Sequence, residues 1–331
     1  MSVGRPRLAH ELAFLRAAKC AALSEDAVRA LKIGLVIVTG DAGAERTTAR
    51  WSEIRALALR AEAIGFDTVW APDELLWRPA SGKERGFWDC VAMSGALAAV
   101  TSRVQVGTWV MSALHRNPGI IAKAVETLDE ISGGRFVFGL GAGHAWPGQA
   151  RAFGLPEDHI YQRFEDALQI IVPLLRDGHA DFEGTWHAAH DLDQRPVGPR
   201  PGTIPIMIGG HGPKGLRHAA RLADVWSCYA EERSDVEELG PRVVALEAAC
   251  AEVGRDPATI GRSAGVEVAP LARAGDSSAP KGAIAGSAEE IADRFRGLRT
   301  AGFTQLEVML EPQTTAALDA MVPILELLEA D

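Results

Sequence analysis

Residues 103–144 read RVQVGTWVMSALHRNPGIIAKAVETLDEISGGRFVFGLGAGH, and within them two apolar segments flank a helical pattern. The segments Val104–Met111 and Phe136–Leu140 are short and rich in β-branched and aromatic residues, which predicts buried strands. Between them, Gly119–Ile131 has apolar residues at helical spacing, and the two glycines that follow it are typical of a helix end. A strand, a helix and a second strand in this order predict a parallel β-α-β unit.

The same alternation extends over most of the chain. Six further strands are predicted over Ile33–Val38, Thr68–Trp70, Ile204–Ile208, Val225–Tyr229, Ala264–Val268 and Gln305–Leu310. Further helices are predicted near Ala49–Ile64, Trp88–Val100, Arg163–Leu175, Lys214–Leu222, Asp235–Val253, Ala288–Ala301 and Thr315–Leu328. Strands and helices in strict alternation predict a single α/β domain, a (β/α)8 TIM barrel over residues 32–331, with residues 1–31 as an N-terminal helical extension.

The alternative architecture is an open, doubly wound sheet. A dinucleotide-binding sheet of that kind needs a GxGxxG fingerprint after its first strand. Here the first strand is followed by Thr39-Gly40-Asp41-Ala42-Gly43, which lacks that spacing. The number of strands and the missing fingerprint together favour the barrel.

The composition limits the classes of partner. The chain has 331 residues, 47% of them hydrophobic, and a formal net charge of −10. Binding to a phosphate backbone needs a basic face, so a nucleic-acid partner is not expected. The apolar runs are far shorter than the roughly 20 residues that cross a bilayer, so no membrane segment is expected. Four widely spaced cysteines without a CxxC pair, and no metal-ligand spacing, predict a cytoplasmic protein without a metal.

In a TIM barrel the active site lies at the C-terminal ends of the strands. The fifth strand is followed there by GGHGPKG, which begins with Gly209, Gly210, His211, Gly212 and Pro213. Glycines let the backbone approach a ligand, and a helix that begins at the proline would present free N–H groups to a phosphate. A tight turn without a ligand is the alternative interpretation.

The fourth strand ends in GLGAGH, where Gly141, Ala142 and Gly143 would let a flat ring lie close to the barrel mouth. The alternative is that these small residues only taper the barrel core. His144, and Glu74 beyond the second strand, are the candidate acid–base groups, because such residues near a pocket are tuned towards neutral pH. A hydrogen-bonded structural role is the alternative for each.

Aromatic and histidine side chains near the strand ends predict a pocket for a small-molecule substrate. Trp77 and Trp146 lie in predicted loops, where tryptophan is typical of the wall of a pocket for a planar ligand. His115 follows the third strand and belongs to the same predicted pocket. Packing between loop and barrel is the alternative role of the two tryptophans.

Four segments together resemble the bacterial luciferase-like monooxygenase superfamily. They are the segment 103–144 quoted above, IPIMIGGHGPKGLRHAARLADVWS at 204–227, EVGRDPATI at 252–260 and GSAEEIADRFRGLRTAGFTQLEVML at 286–310. The similarity extends from Lys32 to the C-terminus. Members of the superfamily are (β/α)8 barrels that use FMN or the deazaflavin coenzyme F420. The Gly-Gly-x-Gly-Pro turn and the Gly-Arg-Asp-Pro block resemble the F420-dependent oxidoreductases more than the FMN enzymes.

The resemblance implies a cofactor site on residues of this sequence. The Trp109–Val110 bond matches a non-prolyl cis peptide bond that forms a bulge behind the deazaflavin ring, with Ser112 near the ring. Residues 141–143 and the turn 209–213, His211 included, match contacts to the ribityl and phosphate part of the cofactor. Asp73 matches an acidic position that helps to hold the ring edge.

Two positions depart from the sugar-phosphate dehydrogenases of this family, in which a histidine follows that aspartate and a glutamate follows the fourth-strand glycines. Here these positions hold Glu74 and His144, and basic residues that would grip a sugar phosphate are not recognisable. The expected reaction is hydride transfer between F420 and a different small organic substrate, with His144 or Glu74 handling the proton.

Two alternatives to this reaction stay open. One is an FMN-dependent, two-component monooxygenase that receives reduced FMN from a separate flavin reductase. The other is a non-catalytic protein that binds a flavin or F420. A homodimer is expected, since dimers are usual in the family that the sequence resembles.

Overall fold

The computed structural model describes residues 29–42, 47–78, 84–143, 148–277 and 279–330. Its central sheet has eight parallel strands: β1 (Lys32–Val36), β2 (Thr68–Ala71), β3 (Gln105–Thr108), β4 (Phe136–Gly141), β5 (Ile206–Gly209), β6 (Val225–Tyr229), β7 (Gly261–Ala269) and β8 (Gln305–Leu310). Each strand pairs with the next, and β8 pairs with β1, where Gln305 lies opposite Lys32. The sheet therefore closes on itself. This confirms the predicted (β/α)8 barrel, and the open doubly wound alternative is wrong.

A helix follows each barrel strand, and one short helix lies in a loop. In chain order the helices are α1 (Trp51–Ala63), α2 (Cys90–Val100), α3 (Pro118–Ser132), α4 (Gln149–Phe153), α5 (Ile160–Arg176), α6 (Pro213–Leu222), α7 (Val236–Val253), α8 (Ala288–Thr300) and α9 (Thr315–Glu329). Of these, α4 is the short loop helix. Local sequence sets the helix ends, as in α3, where the Asn117 side chain accepts the N–H of Gly119 at 2.9 Å and Gly133 ends the helix at φ 65°.

Successive residues of a strand point to opposite faces of the sheet, so the barrel has an outer and an inner set of residues. The outer set, to which Leu35 and Phe138 belong, packs against the helices in the main hydrophobic core. A separate buried cluster lies on the inner face and contains Val36, Trp70, Val137 and Met207.

Trp70 fills much of this interior, since its indole is completely buried. Glycines on the two neighbouring strands make room for it. A Cβ on Gly34 would lie 2.8 Å from Cδ1 of Trp70, and one on Gly107 would lie 3.0 Å from its Cη2. At both positions the added Cβ would also overlap other atoms of the ring, so a side chain there requires the indole to move.

The long connections hold further regular structure. Helix α4 lies between β4 and α5, and an antiparallel hairpin of His179–Glu183 and Ala188–Asp193 lies between α5 and β5. Residues 1–28 of the predicted N-terminal extension lie outside the described residues. From Arg29 onward the chain packs on the barrel, because Arg29 pairs with Asp67 at 2.9 Å. None of the helices in the described ranges is both long and apolar enough to cross a bilayer.

Candidate active site

A bulge interrupts the third strand at the C-terminal mouth of the barrel. The predicted strand Val104–Met111 ends early, because β3 stops at Thr108 and regular pairing resumes only at Met111–Ser112, opposite the end of β4. The Trp109–Val110 peptide bond between these two parts is cis, at the position that the resemblance indicates. Both side chains of the bulge are partly exposed.

Val110 lies in a niche made by glycines of β4 and β5. Added Cβ atoms on Gly139, Gly141 and Gly209 would lie 3.1, 2.8 and 3.1 Å from the methyl groups of Val110. The ends of β4 and β5 are neighbours, since Met207 pairs with Gly139. These glycines therefore have a structural role that the sequence did not reveal: they make room for the side chain of the bulge.

The other residue of the bulge, Trp109, extends across the barrel towards β6 and β7. An added Cβ on Gly265 would lie 2.6 Å from Cη2 of this indole, so ring and strand are in close contact. Its Nε1 donates a hydrogen bond of 3.2 Å to Oγ of Ser227 on β6. Trp109 and Val110 thus form one wall of the mouth, fixed from below by small residues of four strands.

Asp73 at the end of β2 holds the segment after the bulge. Its side chain is fully buried and accepts the N–H of Ser112 at 2.8 Å and both terminal nitrogens of Arg116 at 2.6 and 3.1 Å. Burial alone would raise the pKa of this carboxyl, but the close approach of His115 and the hydrogen bonds and charge of Arg116 lower it. Arg116 also donates to Asp89, the N-cap of α2, at 2.9 Å.

Arg116 was not predicted from the sequence. The available signal was a basic residue just beyond the third strand, on the face where an acidic residue follows the second. Asp73 itself contacts Ser112 and Arg116 in this structure, and its carboxylate is not exposed towards the mouth. Contact between Asp73 and a ring edge accordingly stays a prediction.

His115, assigned to the substrate pocket, has only 5% of its side chain exposed. Its Nδ1 lies 3.3 Å from the Asp73 carboxylate, in a close approach that is not aligned as a hydrogen bond, and its Nε2 lies 3.3 Å from Nε2 of Gln149. Gln149 in turn accepts the N–H groups of Leu75 and Leu76 at 3.0 and 2.9 Å. His115 therefore supports the loop after β2, and a contact between it and substrate stays a prediction.

The loop after β2 carries two other predicted site residues. Glu74 directly follows Asp73 and is half-buried. Trp77 is half-buried in a short antiparallel ribbon of Leu76–Trp77 and Arg85–Gly86, and the Arg85 guanidinium lies 4.6 Å from the centre of its ring. His144 and Trp146 lie outside the described residues.

The turn after β5 leads directly into α6. Gly210 has φ 128°, donates its N–H to the carbonyl of Ser227 at 3.0 Å, and accepts Nε1 of Trp226 at 2.7 Å. Gly212 is the N-cap of α6 and Pro213 its first residue, and no side chain of the described residues caps this end. First-turn N–H groups of a helix without a capping side chain are suited to an anion.

Three further residues of the two predicted loops, Ala142, Gly143 and His211, lie within the described residues. His211 is exposed, and its Nε2 lies 3.5 Å from Glu231. Ala142 and Gly143 follow β4, and Gly143 has φ 94° and lies against Ser112. Within the described ranges, no group of three or more histidine, cysteine or acidic residues is arranged to hold a metal ion.

A buried acid inside the barrel was also missed by the sequence reasoning. Glu307 on β8 is fully buried, bonds to the Ser263 hydroxyl, and accepts Nε2 of Gln305 at 2.7 Å. Burial raises its pKa to about 8. The signal in the sequence was an acidic residue within the apolar strand QLEVML, at an inward-facing position.

Comparisons with known proteins agree with this geometry. The family profile described as luciferase-like monooxygenase matches residues 31–279. The chain belongs to this family. A solved F420-dependent secondary alcohol dehydrogenase has a similar fold: it covers 90% of this chain with a TM-score of 0.75 at 19% identity, and 99% of that chain is matched.

Two curated relatives of this luciferase-like protein carry out different reactions from each other, as their names state. One is the F420-dependent glucose-6-phosphate dehydrogenase of Kineococcus radiotolerans, 32% identical over 184 residues, which cover 54% of this chain and 52% of that protein. The other is the pyrimidine monooxygenase RutA of Escherichia coli strain K12, 29% identical over 241 residues, which cover 68% of this chain and 61% of that protein. The chain thus spans about half the length of the first of these relatives.

Proposed function

We propose that this luciferase-like protein is an F420-dependent oxidoreductase that acts on a small organic substrate. The observation that carries the proposal is the niche in which Gly139, Gly141 and Gly209 accommodate Val110 at the adjacent ends of β4 and β5. A flat ring above this niche would meet backbone and one small aliphatic side chain. The relative from Kineococcus radiotolerans, F420-dependent by name, supports the choice of cofactor.

The residues after β5 fit the phosphate part of such a cofactor. No side chain caps the start of α6, and a Cβ added at Gly212 would meet no atom within 4 Å in the described structure. The helix dipole and the first-turn N–H groups favour a negative group there. We therefore assign the turn 209–213 to the phosphate, and residues 141–143 to the ribityl part beside it.

F420 bound here would supply the ring carbon C5, which accepts or releases a hydride. Oxidation of an alcohol, for example, also releases the hydroxyl proton, which a protein base takes up. We assign that role to Glu74 or His144. Glu74 is half-buried and directly follows Asp73 at the end of β2.

Asp73 has a positioning role in this proposal. Its carboxylate fixes the N–H of Ser112, and thereby the segment that follows the Val110 niche. Arg116 is bound between Asp73 and Asp89, so it is not available to a phosphorylated substrate. This supports a substrate other than a sugar phosphate. Trp77, Trp146 and His115 remain the proposed walls of the substrate pocket.

Titration of the purified protein with F420 and with FMN tests the proposal. We expect F420 to bind at micromolar concentration or below, and more tightly than FMN. The variants Glu74→Gln and His144→Asn should bind F420 like the wild type, while the one that holds the proton loses about 100-fold in kcat. If neither cofactor binds at micromolar concentration, the proposal is wrong.

An FMN-dependent, two-component monooxygenase is the second candidate, and the match to RutA over 68% of the chain favours it. Consumption of oxygen that depends on reduced FMN from a separate reductase would identify this activity. A third candidate is a non-catalytic binding protein. Full affinity for F420 without turnover of any ene, nitro, alcohol or imine substrate would support that one.

We also propose that the protein is a cytoplasmic homodimer. Cys90, Cys228 and Cys250 are free thiols, which fits a reducing compartment. Ile120 and Ile131 of α3 are 60% and 46% exposed, and their spacing of three helical turns places them on one face. Light scattering after size exclusion measures the mass directly, and a monomer would contradict this assignment.

A further inference from the structure

A chain of polar side chains runs through the barrel interior and ends at the bulge. Nε1 of Trp109 donates to Oγ of Ser227 at 3.2 Å. Oγ of Ser227 lies 3.5 Å from Oγ of Ser263, which is hydrogen-bonded to Oε2 of Glu307. Gln305 donates to the other carboxyl oxygen at 2.7 Å. Three strands thus contribute one connected path from a buried acid to the indole at the mouth.

The members of this chain are shielded from solvent. Glu307 and Ser263 are completely buried, and Ser227 is 2% exposed. The hydrogen-bond partners of Glu307 in the described residues, Ser263 and Gln305, are both neutral. Burial without a cation raises the pKa of this carboxyl to about 8, so it carries its proton at neutral pH.

A buried carboxyl group destabilises a barrel interior more than an apolar side chain does. Desolvation of a polar group opposes folding unless its hydrogen bonds are made, and an apolar side chain of the same volume avoids that cost. A protonated carboxyl, however, both donates and accepts, so it determines which way the hydroxyl groups bonded to it point. Fully satisfied networks of this kind hold their members in one arrangement.

The indole of Trp109 needs such an anchor. Its contact with Gly265 sets how close the ring lies to β7, but a smooth apolar contact does not fix the rotation of the ring. The hydrogen bond from Nε1 to Ser227 fixes that rotation, and the orientation of Ser227 depends on Ser263 and Glu307. Trp109 is covalently joined to Val110, so its position also sets the niche residue.

We propose that Glu307 is a positioning residue: through Ser263 and Ser227 it holds the indole of Trp109, and with it the Val110 wall of the cofactor site. The catalytic consequence rests on the proposed function, whereas the orientation of Trp109 does not.

Variants that break or preserve the chain test this idea. Glu307→Leu removes both hydrogen-bonding ends, Ser227→Ala removes the acceptor of Trp109, and Glu307→Gln preserves a donor and an acceptor. Thr68→Val is the matched control, because Thr68 is also buried and polar on an inward-facing strand position but bonds to Gln105 instead.

Near-ultraviolet circular dichroism of the cofactor-free protein reports the tryptophan environment. We expect Glu307→Leu and Ser227→Ala to lose the same spectral component that Trp109→Phe lacks, whereas Glu307→Gln and Thr68→Val keep it. Affinity for F420 should fall roughly five- to tenfold in the first two variants and stay unchanged in the last two, as expected for one lost hydrogen bond.

The outcomes separate the two proposals. If the wild type binds neither F420 nor FMN, the proposed function is wrong, but the spectra still decide the role of Glu307. If folded Glu307→Leu keeps the wild-type spectrum, or if its affinity matches that of Thr68→Val, the positioning role is overturned. Should Glu307→Leu not fold, Ser227→Ala decides, since it removes a single oxygen at the other end of the chain.

Discussion

Val110 occupies the space that a side chain at Gly141 would need: an added Cβ on Gly141 would lie 2.8 Å from Cγ2 of Val110. The same valine lies 3.1 Å from the Cβ position of Gly209 on the neighbouring strand. The glycine pattern at the ends of β4 and β5 is therefore set in part by a residue of β3. The wall of the mouth and the strand ends below it must change together.

We expect Gly141→Ala to push Val110 out of its niche. Overpacking of this kind destabilises by about 1–3 kcal/mol, and we expect the affinity for F420 to fall with it. The double variant Gly141→Ala/Val110→Ala should recover most of both losses, because the smaller side chain leaves room for the new methyl group. Urea unfolding and cofactor titration measure the two effects.

The control for this prediction is Gly95→Ala in α2. An added Cβ there lies 3.7 Å from the nearest side chain, which is ordinary contact. Alanine in a helix interior is favoured over glycine, so this variant should gain up to about 1 kcal/mol. A double variant at 141 and 110 that is no better than the single one would contradict the niche.

The architecture was predictable because it depends on local pattern. Alternating apolar runs and helical periods locate strands and helices, and helix ends follow from single residues such as Gly133. The predicted C-terminal end of β3 was wrong, because the strand stops at Thr108 and not at Met111. The bulge at Trp109 and Val110 interrupts pairing although both residues have high strand propensity, since tertiary context overrides propensity.

For the candidate site, the position of its residues at the strand ends was predictable from the sequence, but their contacts were not. The residues after β2, β4 and β5 do lie at one mouth, as parallel strands require. The pairing of Asp73 with Arg116 and the chain from Glu307 to Trp109 join residues far apart in sequence. Such pairs follow from register and barrel closure, which a single sequence does not specify.

Trp70 gives a second test of how glycines shape the interior. A methyl group at Gly107 would collide with its indole, and Gly34 contacts the ring from the other neighbouring strand. We expect Gly107→Ala to destabilise by about 1–3 kcal/mol or more, and Trp70→Leu in that background to recover part of the loss. Thermal unfolding checks both. Equal stability of Gly107→Ala and the wild type would contradict the packing described.

Removal of Arg116 should be far more damaging than removal of the whole ion pair. Arg116→Gln leaves the buried Asp73 carboxylate without its cation, which costs about 3–5 kcal/mol. The double variant Asp73→Asn/Arg116→Gln has no buried charge at this place and should recover part of that loss. Urea unfolding at neutral pH compares the three proteins.

The loss of stability in acid gives an independent test of the ion pair between Asp73 and Arg116. The folded-state pKa of Asp73 is lowered, so its stabilising contribution is present above the unfolded value of about 3.9 and is lost as pH falls through the folded value. The wild type should therefore lose stability in this acidic range faster than Asp73→Asn. Parallel acid dependence of the two would show that Asp73 is not held as a charged partner of Arg116.

The contribution of Glu307 to the free energy of unfolding should depend on pH in the opposite direction. Its folded-state pKa is raised to about 8, whereas that of the unfolded chain is about 4.3. As pH rises, the Glu307 carboxyl therefore loses its proton in the unfolded state before it does so in the folded state. The stabilising contribution is complete below about pH 4 and is lost as pH rises through the folded value, by at most about 1.4 kcal/mol per pH unit.

The difference in unfolding free energy between wild type and Glu307→Gln isolates this contribution. Lys32 on β1 and Glu267 on β7 point the same way as Glu307 on the flanking strands, and burial and Glu311 raise the pKa of Glu267 too. Lys32 is exposed. Glu267→Gln is therefore the matched control for the neighbouring carboxyl. We expect the stability of the wild type to fall relative to Glu307→Gln between about pH 5 and pH 8 and then to level off. A constant difference across that range would show that Glu307 is not buried as a neutral acid.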